Sequence, residues 1–366
     1  ISLGSGAAPL PPWMGFAAQL ACLAAAHGVA GQHAFVATER AAWQAFVREG
    51  RRGIVIIGGR QHRAAQRSTY YTLDALLAIA SLRRVGCQLP IELWHDHDPA
   101  LLGHSEAPGA AGALGVTLRD VWEVPGGQEV TGFGLSPFVL LHSSFWEILY
   151  LDADVIAVRD PADLFELAEY RATGAVFWPA KIPHRPGVAV LWDVLGSERR
   201  SPLQIDSAAM VIHRTRHMEP LELARFFHQR WTPLQFKPPF HLNGDADMFV
   251  FAWLALAAPF HIVHDPVDLI GFSNGSVPFC GHSLLIRHPR PDSGGELVFA
   301  HRARAKLSYF PEVELPSNAI KRVQPGSIQG QWEAAYAVDA CLDFFDGKIL
   351  LHGDIEVDDD LLCSAD

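Results

Sequence analysis

The chain has 366 residues, 49% of them hydrophobic, and 40 acidic against 29 basic side chains give a formal charge of −11. That is enough apolar material for one large core or two. The acidic balance argues against an electrostatic grip on nucleic acid. Arg pairs such as Arg51-Arg52, Arg83-Arg84 and Arg199-Arg200 are scattered, and suit a solvated surface or a small anionic ligand.

In chain order, residues 15–50 read as helical, closing on Gly50. RRGIVIIGG gives a first strand at Ile54–Ile57, ended by Gly58-Gly59. STYYTLDALLAIASLRRVG predicts a helix over 69–85, with Ser68 as its cap and Gly86 as its stop. Strands follow at 90–95 (PIELWH) and 121–124 (VWEV), a helix from Ser136, and the strand EILYLDAD. GAVFWP (174–179) and SAAMVIHR (207–214) are further strands. EPLELARFFHQRW and GDADMFVFAWLALAAP are helices, and HIVHDP is a short strand. This alternation predicts an α/β fold with a mostly parallel sheet between helices. It divides the chain into an N-terminal helical segment (1–50), a main domain (51–310) and a C-terminal extension packed on the core (311–366).

Five cysteines, at 22, 87, 280, 342 and 363, form no CxxC pair, so a zinc knuckle is not indicated and the redox compartment is left open. No run is suited to crossing a membrane: FAAQLACLAAAHGVAG is short and Ala-rich. Asn274-Gly275-Ser276 is a glycosylation acceptor triplet if the protein is secretory.

The chemistry-bearing stretch is EILYLDADVIAVRDP. Acids after an apolar strand are common turn residues. Here, however, Asp152 and Asp154 stand at the carboxyl end of Ile148–Leu151, where an open α/β sheet places its ligands. Two carboxylates one residue apart can reach one hard cation, which in turn binds phosphate oxygens. His301, in FAHRARAK, offers an imidazole suited to a borderline metal such as Mn²⁺, with Arg302, Arg304 and Lys306 as positive neighbours. Gly58-Gly59-Arg60-Gln61 is not GxGxxG, but a nucleotide base or ribose edge could lie against it. Asp206, before a predicted strand, and Asp245 and Asp247, at a predicted helix start beside Asn243 and Gly244, suggest a polar rim. Taken singly, each is equally a turn or capping acid.

Together these stretches resemble the fungal Golgi α-1,3-mannosyltransferase family. The matching blocks are GIVIIGG, LRRVGCQLPIELWH, the long SPFVLLHSSFWEILYLDADVIAVRDPADLFELAEYRATGAVFWP, DSAAMVIHR, GDADMFVFAW, FCGHSLL and FAHRARAKL, in the family's order over about residues 50–310. The resemblance implies a GT-A glycosyltransferase fold and a nucleotide-sugar donor, most simply GDP-mannose. It implies Asp152 and Asp154 as a DxD pair on Mn²⁺ or Mg²⁺, His301 completing the metal site, Lys306 near the diphosphate, and Gly58, Gly59 and Arg60 bordering the nucleotide. Asp206, Asp245 and Asp247 would face the donor sugar and acceptor as the catalytic carboxylates. The acceptor would be an oligosaccharide or glycoprotein. The location would be the Golgi lumen if an anchor preceded this chain, with the cytoplasm as the alternative.

Two departures bear on the donor. Where the family shows Glu-x-Glu/Asp-Ser-Gly-Gln, this chain has Gln204-Ile205-Asp206-Ser207-Ala208-Ala209, and a Lys expected before the DxD strand is Ser136. A UDP-hexose donor is therefore the runner-up, and a nucleotide-sugar hydrolase or an inactive glycan-binding homologue are the rivals. α-Linkages made from α-donors imply retention. Trp178, Trp253 and His184 are candidates for an acceptor groove, because aromatic rings stack on sugar faces.

Overall fold

The computed structural model describes residues 52–59, 68–98, 115–130, 132–183, 203–235, 246–264, 267–272, 280–289, 295–303 and 319–323. A seven-stranded sheet runs through its centre. Its strands are β1 (Arg52–Gly58), β2 (Ile91–His95), β3 (Val116–Asp120), β4 (Glu147–Asp152), β6 (Ala175–Pro183), β7 (Leu203–His213) and β8 (His261–Ile262), in the order β3-β2-β1-β4-β7-β6-β8. The pairings β3–β2, β2–β1, β1–β4 and β6–β8 are parallel, and β4–β7 and β7–β6 are antiparallel. This is the α/β, mostly parallel sheet that the alternation of strands and helices predicts, made mixed by β7.

The apolar runs explain the layers. Ile54, Val55 and Ile56 are fully buried because β1 is covered on both faces. On one face lies α1 (Ser68–Arg84), which sets Ala75, Ala78, Ile79 and Leu82 against Ile54, Ile56 and Leu149. On the other lie α2 (Leu135–His142), α4 (Met218–Gln235) and α5 (Ala246–Ala255). They bury Phe138, Phe227, Phe249 and Trp253 with Val55, Ile57 and Tyr150. A one-turn helix, α3 (Ala168–Thr173), leads into β6 through Gly174, whose φ of 79° ends it.

A second, antiparallel sheet was not expected. It has the order β12-β9-β10-β11-β5, with β5 (Val155–Ala157), β9 (Val267–Phe272), β10 (Cys280–Arg287), β11 (Leu297–His301) and β12 (Ala319–Val323). β12 belongs to the stretch read as the C-terminal extension, and is an edge strand of this sheet. The rest of that stretch, the 15–50 helix and the Asn274 triplet lie outside the described residues. Cys87 is a buried free thiol whose pKa burial raises to about 11.

Two strand assignments are corrected. VWEV is not a strand: β3 ends at Asp120, whose carboxylate accepts from the Trp122 amide at 2.9 Å and starts a 3₁₀ turn over Val121–Glu123. Conversely, β7 starts at Leu203, four residues before the predicted strand, so Gln204, Asp206 and Ser207 are buried within it.

Buried polar groups join the layers. The Arg214 guanidinium donates to the carbonyls of Leu141 (2.6 Å) and Phe145 (3.0 Å), satisfying the end of α2. Glu92 accepts from the Trp94 indole and the Ser144 amide, both at 3.0 Å. Gly53 is required by contact: a Cβ there would stand 2.3 Å from the Phe145 ring, which the core holds in place. Gly53→Ala should therefore overpack β1 and lower stability by about 1–3 kcal/mol. A urea melt should show a lower midpoint with unchanged slope; an unshifted midpoint would mean that Phe145 yields freely.

Candidate active site

The sequence places two acids at the end of β4, and the fold decides where they go. Ile57 of β1 pairs with Asp152, so Asp152 lies at the carboxyl end of the parallel strands. The chain turns through Ala153 and Asp154 and enters the second sheet as β5. There Val155 pairs with His301, the last residue of β11. The Arg302 amide then donates to the Asp154 carbonyl at 3.0 Å and closes the junction. Residues almost 150 positions apart are thus brought together by backbone pairing.

One ligand atom each from Asp152, Asp154 and His301 lies within 4.8 Å of the others. Asp154 is buried, Asp152 is half-buried, and the His301 side chain is 12% exposed. His301 Nε2 is 3.5 Å from Asp154 Oδ2, and Nδ1 is 2.9 Å from Asp206 Oδ2. Burial opposes a charge on the imidazole, but the carboxylates of Asp206 and Asp154 outweigh it and hold its pKa well above the ordinary value. Two carboxylates and an imidazole are hard and borderline donors of the kind Mn²⁺ and Mg²⁺ take. Three protein ligands leave coordination positions for diphosphate oxygens. The residues present therefore fit the metal that the resemblance implies.

Other expected residues have found other surroundings. Asp206 lies on β7 beyond its last pair with β4, opposite Trp178 of β6. One of its oxygens accepts from the Ala208 amide at 3.1 Å and the other meets His301. Asp247, in the first turn of α5, accepts from the Ile205 amide at 3.0 Å, fastening the helix to β7 one residue from Asp206. The glycines after β1 admit protein groups. A Cβ on Gly58 would press on Ala75 and Leu93 at 3.0 Å. One on Gly59, at φ +78°, would stand 2.9 Å from Asp98 Oδ2. Trp178 and Trp253 do not line a groove. Trp178 is 3% exposed with its indole N–H on the Arg287 carbonyl, and Trp253 is fully buried against Phe177 and His217. Ser136 is buried, its hydroxyl on the Phe133 carbonyl. Arg60, Asp245, Arg304, Lys306 and His184 lie outside the described residues.

Sequence reasoning missed three contributors. The Tyr150 hydroxyl donates to Asp152 Oδ1 at 2.8 Å; the two-residue strand period that puts both side chains on one face could have signalled it. Asp74, fully buried on α1, accepts from Arg302 at 3.4 Å; an acid inside the apolar run LDALLAIA was the available sign. The Asp206–His301 contact had no local sign, since 95 residues separate the partners.

The buried state of Asp247 has a consequence for stability. Burial raises its pKa from 3.8 to about 7, against a smaller lowering by the Ile205 amide. Between these values the unfolded chain holds fewer protons than the folded one, so this carboxyl makes stability fall as pH rises from about 4 to 7. Asp247→Asn, which can still accept from Ile205, should remove that fall, on the order of a few kcal/mol. Urea midpoints measured from pH 4 to 8 should drop less steeply in the variant; parallel curves would show that Asp247 is ionised throughout.

The family described as "Mannosyltransferase putative" matches residues 51–186 and 197–285. The alpha-1,2-mannosyltransferase MNN23 of Candida albicans is 23% identical over 67% of this chain and 47% of its own. The alpha-1,2-mannosyltransferase MNN5 of Saccharomyces cerevisiae is 25% identical over 72% and 53%. The chain thus spans about half the length of these relatives. Among solved structures, the glycosyltransferase GlyE of Streptococcus pneumoniae TIGR4 matches 59% of this chain and 46% of its own, at 19% identity and a TM-score of 0.37.

Proposed function

The chain belongs to the mannosyltransferase family, and from that premise we propose that it is a metal-dependent, retaining α-mannosyltransferase that uses GDP-mannose. The observation that carries the reading is the cluster of Asp152, Asp154 and His301, with ligand atoms within 4.8 Å of one another at the carboxyl end of β4. The catalytic domain is residues 51–310.

In this reading Asp152, Asp154 and His301 hold Mn²⁺ or Mg²⁺. A bound cation would supply Lewis-acid stabilisation of the negative charge that grows on the diphosphate leaving group. The protein supplies the rest. Tyr150 fixes one oxygen of Asp152. Arg302, held by Asp74 and by the Asp154 carbonyl, adds positive charge beside the ligands, and Lys306, four residues on in the sequence, is the candidate to add more near the diphosphate. Gly58 and Gly59, at the carboxyl end of β1, would border the nucleotide, with Arg60, next in the sequence, as a further candidate. Of the acids expected on the sugar and acceptor side, Asp247 instead holds the Ile205 amide, which leaves Asp245 as the candidate for that role. The leaving phosphate takes the proton of the acceptor hydroxyl on the same face, so no separate carboxylate base is required.

The acceptor is a glycan hydroxyl of an oligosaccharide or glycoprotein, and the setting is the Golgi lumen. For the linkage, the names of MNN23 and MNN5 favour α-1,2 over the α-1,3 expected from the sequence resemblance. No helix among the described residues is long and apolar enough to cross a membrane.

Purified protein with Mn²⁺, offered GDP- and UDP-sugars and a mannose-terminated acceptor, should release nucleotide fastest from GDP-mannose. The product should carry an α-mannosyl linkage by anomeric NMR. Asp152→Asn and Asp154→Asn should each reduce turnover by about 10²-fold or more, and calorimetry should show that Mn²⁺-dependent GDP binding is lost. Preference for a UDP-sugar would overturn the mannose donor. Unchanged Mn²⁺-dependent GDP binding in both variants would overturn the metal site.

A further inference from the structure

We propose that Asp206 is a positioning residue for the cation site: its carboxylate fixes the His301 ring so that Nε2, and not Nδ1, is the ligand atom turned toward Asp154. The inference rests on the metal site of the proposed function and assigns Asp206 a role other than the sugar-facing one expected from the sequence.

Three observations carry it. The first is direction. Asp206 Oδ2 is 2.9 Å from Nδ1, while the opposite ring nitrogen faces Asp154 Oδ2 at 3.5 Å. An imidazole whose Nδ1–H donates to a carboxylate presents its Nε2 lone pair to a cation, and the hydrogen bond makes that nitrogen more basic. The second is occupancy. Each Asp206 oxygen already accepts from a protein group, the His301 ring or the Ala208 amide, and the residue is 6% exposed. A group that takes a proton from an acceptor must instead reach the substrate with an oxygen.

The third is anchorage. Asp206 lies on the fully buried part of β7, beyond the last residue paired with β4. The preceding amide, that of Ile205, is held by Asp247 of α5. The carboxylate is therefore fixed to the central sheet, whereas His301 arrives from the second sheet. β5–β11 pairing sets the height of His301 but leaves its ring free to rotate about χ2. The Asp206 contact removes that freedom. A ring turned by 180° would offer the cation Nδ1 from a different place and lose the bond to β7.

The test uses Mn²⁺ alone, with no nucleotide or sugar, titrated by the electron paramagnetic resonance of the free ion. Asp154→Asn serves as the variant lacking a ligand. Asp206→Ala should bind Mn²⁺ about 10- to 100-fold more weakly than the unaltered chain. Asp206→Asn, whose amide oxygen can still accept from Nδ1–H, should lose less. In the Mg²⁺-loaded chain, long-range ¹H–¹⁵N spectra should show His301 with its proton on Nδ1, and Asp206→Ala should show a mixture of tautomers. Wild-type Mn²⁺ affinity in Asp206→Ala together with lost turnover would overturn the inference and return Asp206 to the sugar. An unaltered chain that binds no Mn²⁺ would overturn the metal site itself. If Asp206→Ala fails to fold, Asp206→Asn decides by the same titration: weaker binding supports the inference, and wild-type affinity overturns it.

Discussion

Everything in this molecule that bears on function depends on one backbone junction, the passage of the chain from the central sheet to the second sheet through Asp152, Ala153 and Asp154. β4 is held between β1 and β7 on one side of the junction, and β5 is paired with β11 on the other. Ala153 is buried, so the turn has no room for a larger side chain to redirect it. Strand pairing has a side-chain period of two. A one-residue slip of β11 on β5 would turn His301 to the opposite face and dissolve the cluster. The register that closes the fold is therefore the register that assembles the site.

That geometry is electrostatically expensive. Asp154 and Asp206 are buried with Asp152 beside them, and carboxylates taken from water must be compensated. The compensation is local: the His301 ring lies between Asp154 and Asp206, the Tyr150 hydroxyl donates to Asp152, and the Ala208 amide donates to Asp206. Residues chosen only for stability would be apolar there. A buried cluster of this kind, costly to stability, marks a candidate functional site. The Asp74–Arg302 pair extends the pattern, placing a buried acid under the cation that follows His301.

Asp152, Asp154 and His301, which the fold brings together, were legible in the sequence as candidates, and so was most of the central sheet. An apolar run such as ILYL reads as a buried strand, and acids at its end read as a site because their chemistry is local to the run. The extra length of β7 was hidden for the same reason. Asp206 looks like a loop residue until the fold shows the partners that let it be buried. VWEV failed in the opposite sense: four strand-prone residues were claimed by the carboxylate of Asp120, which begins a turn one residue earlier. Trp178 and Trp253 were candidates for a sugar groove only by residue type, with a core position the commoner alternative, and the core holds both.

The support around the ligands was not legible, and the reason is geometric. A cation needs its own donors at strand ends, a requirement that leaves a compact mark such as DxD. The groups that orient those donors need only reach them in space. Tyr150 does so from two residues away, Asp206 from 95, and Asp74 reaches Arg302 from 228. None of these spacings is a motif, because each is fixed by which strands happen to be neighbours. An acid in this chain therefore acquires its role from its register. Asp206 and Asp247 were indistinguishable as rim carboxylates in the sequence. In the fold one turns to an imidazole on the second sheet and the other to a backbone amide under a helix, where burial favours its neutral form. Strand order separates their chemistry, and it does so before any substrate arrives.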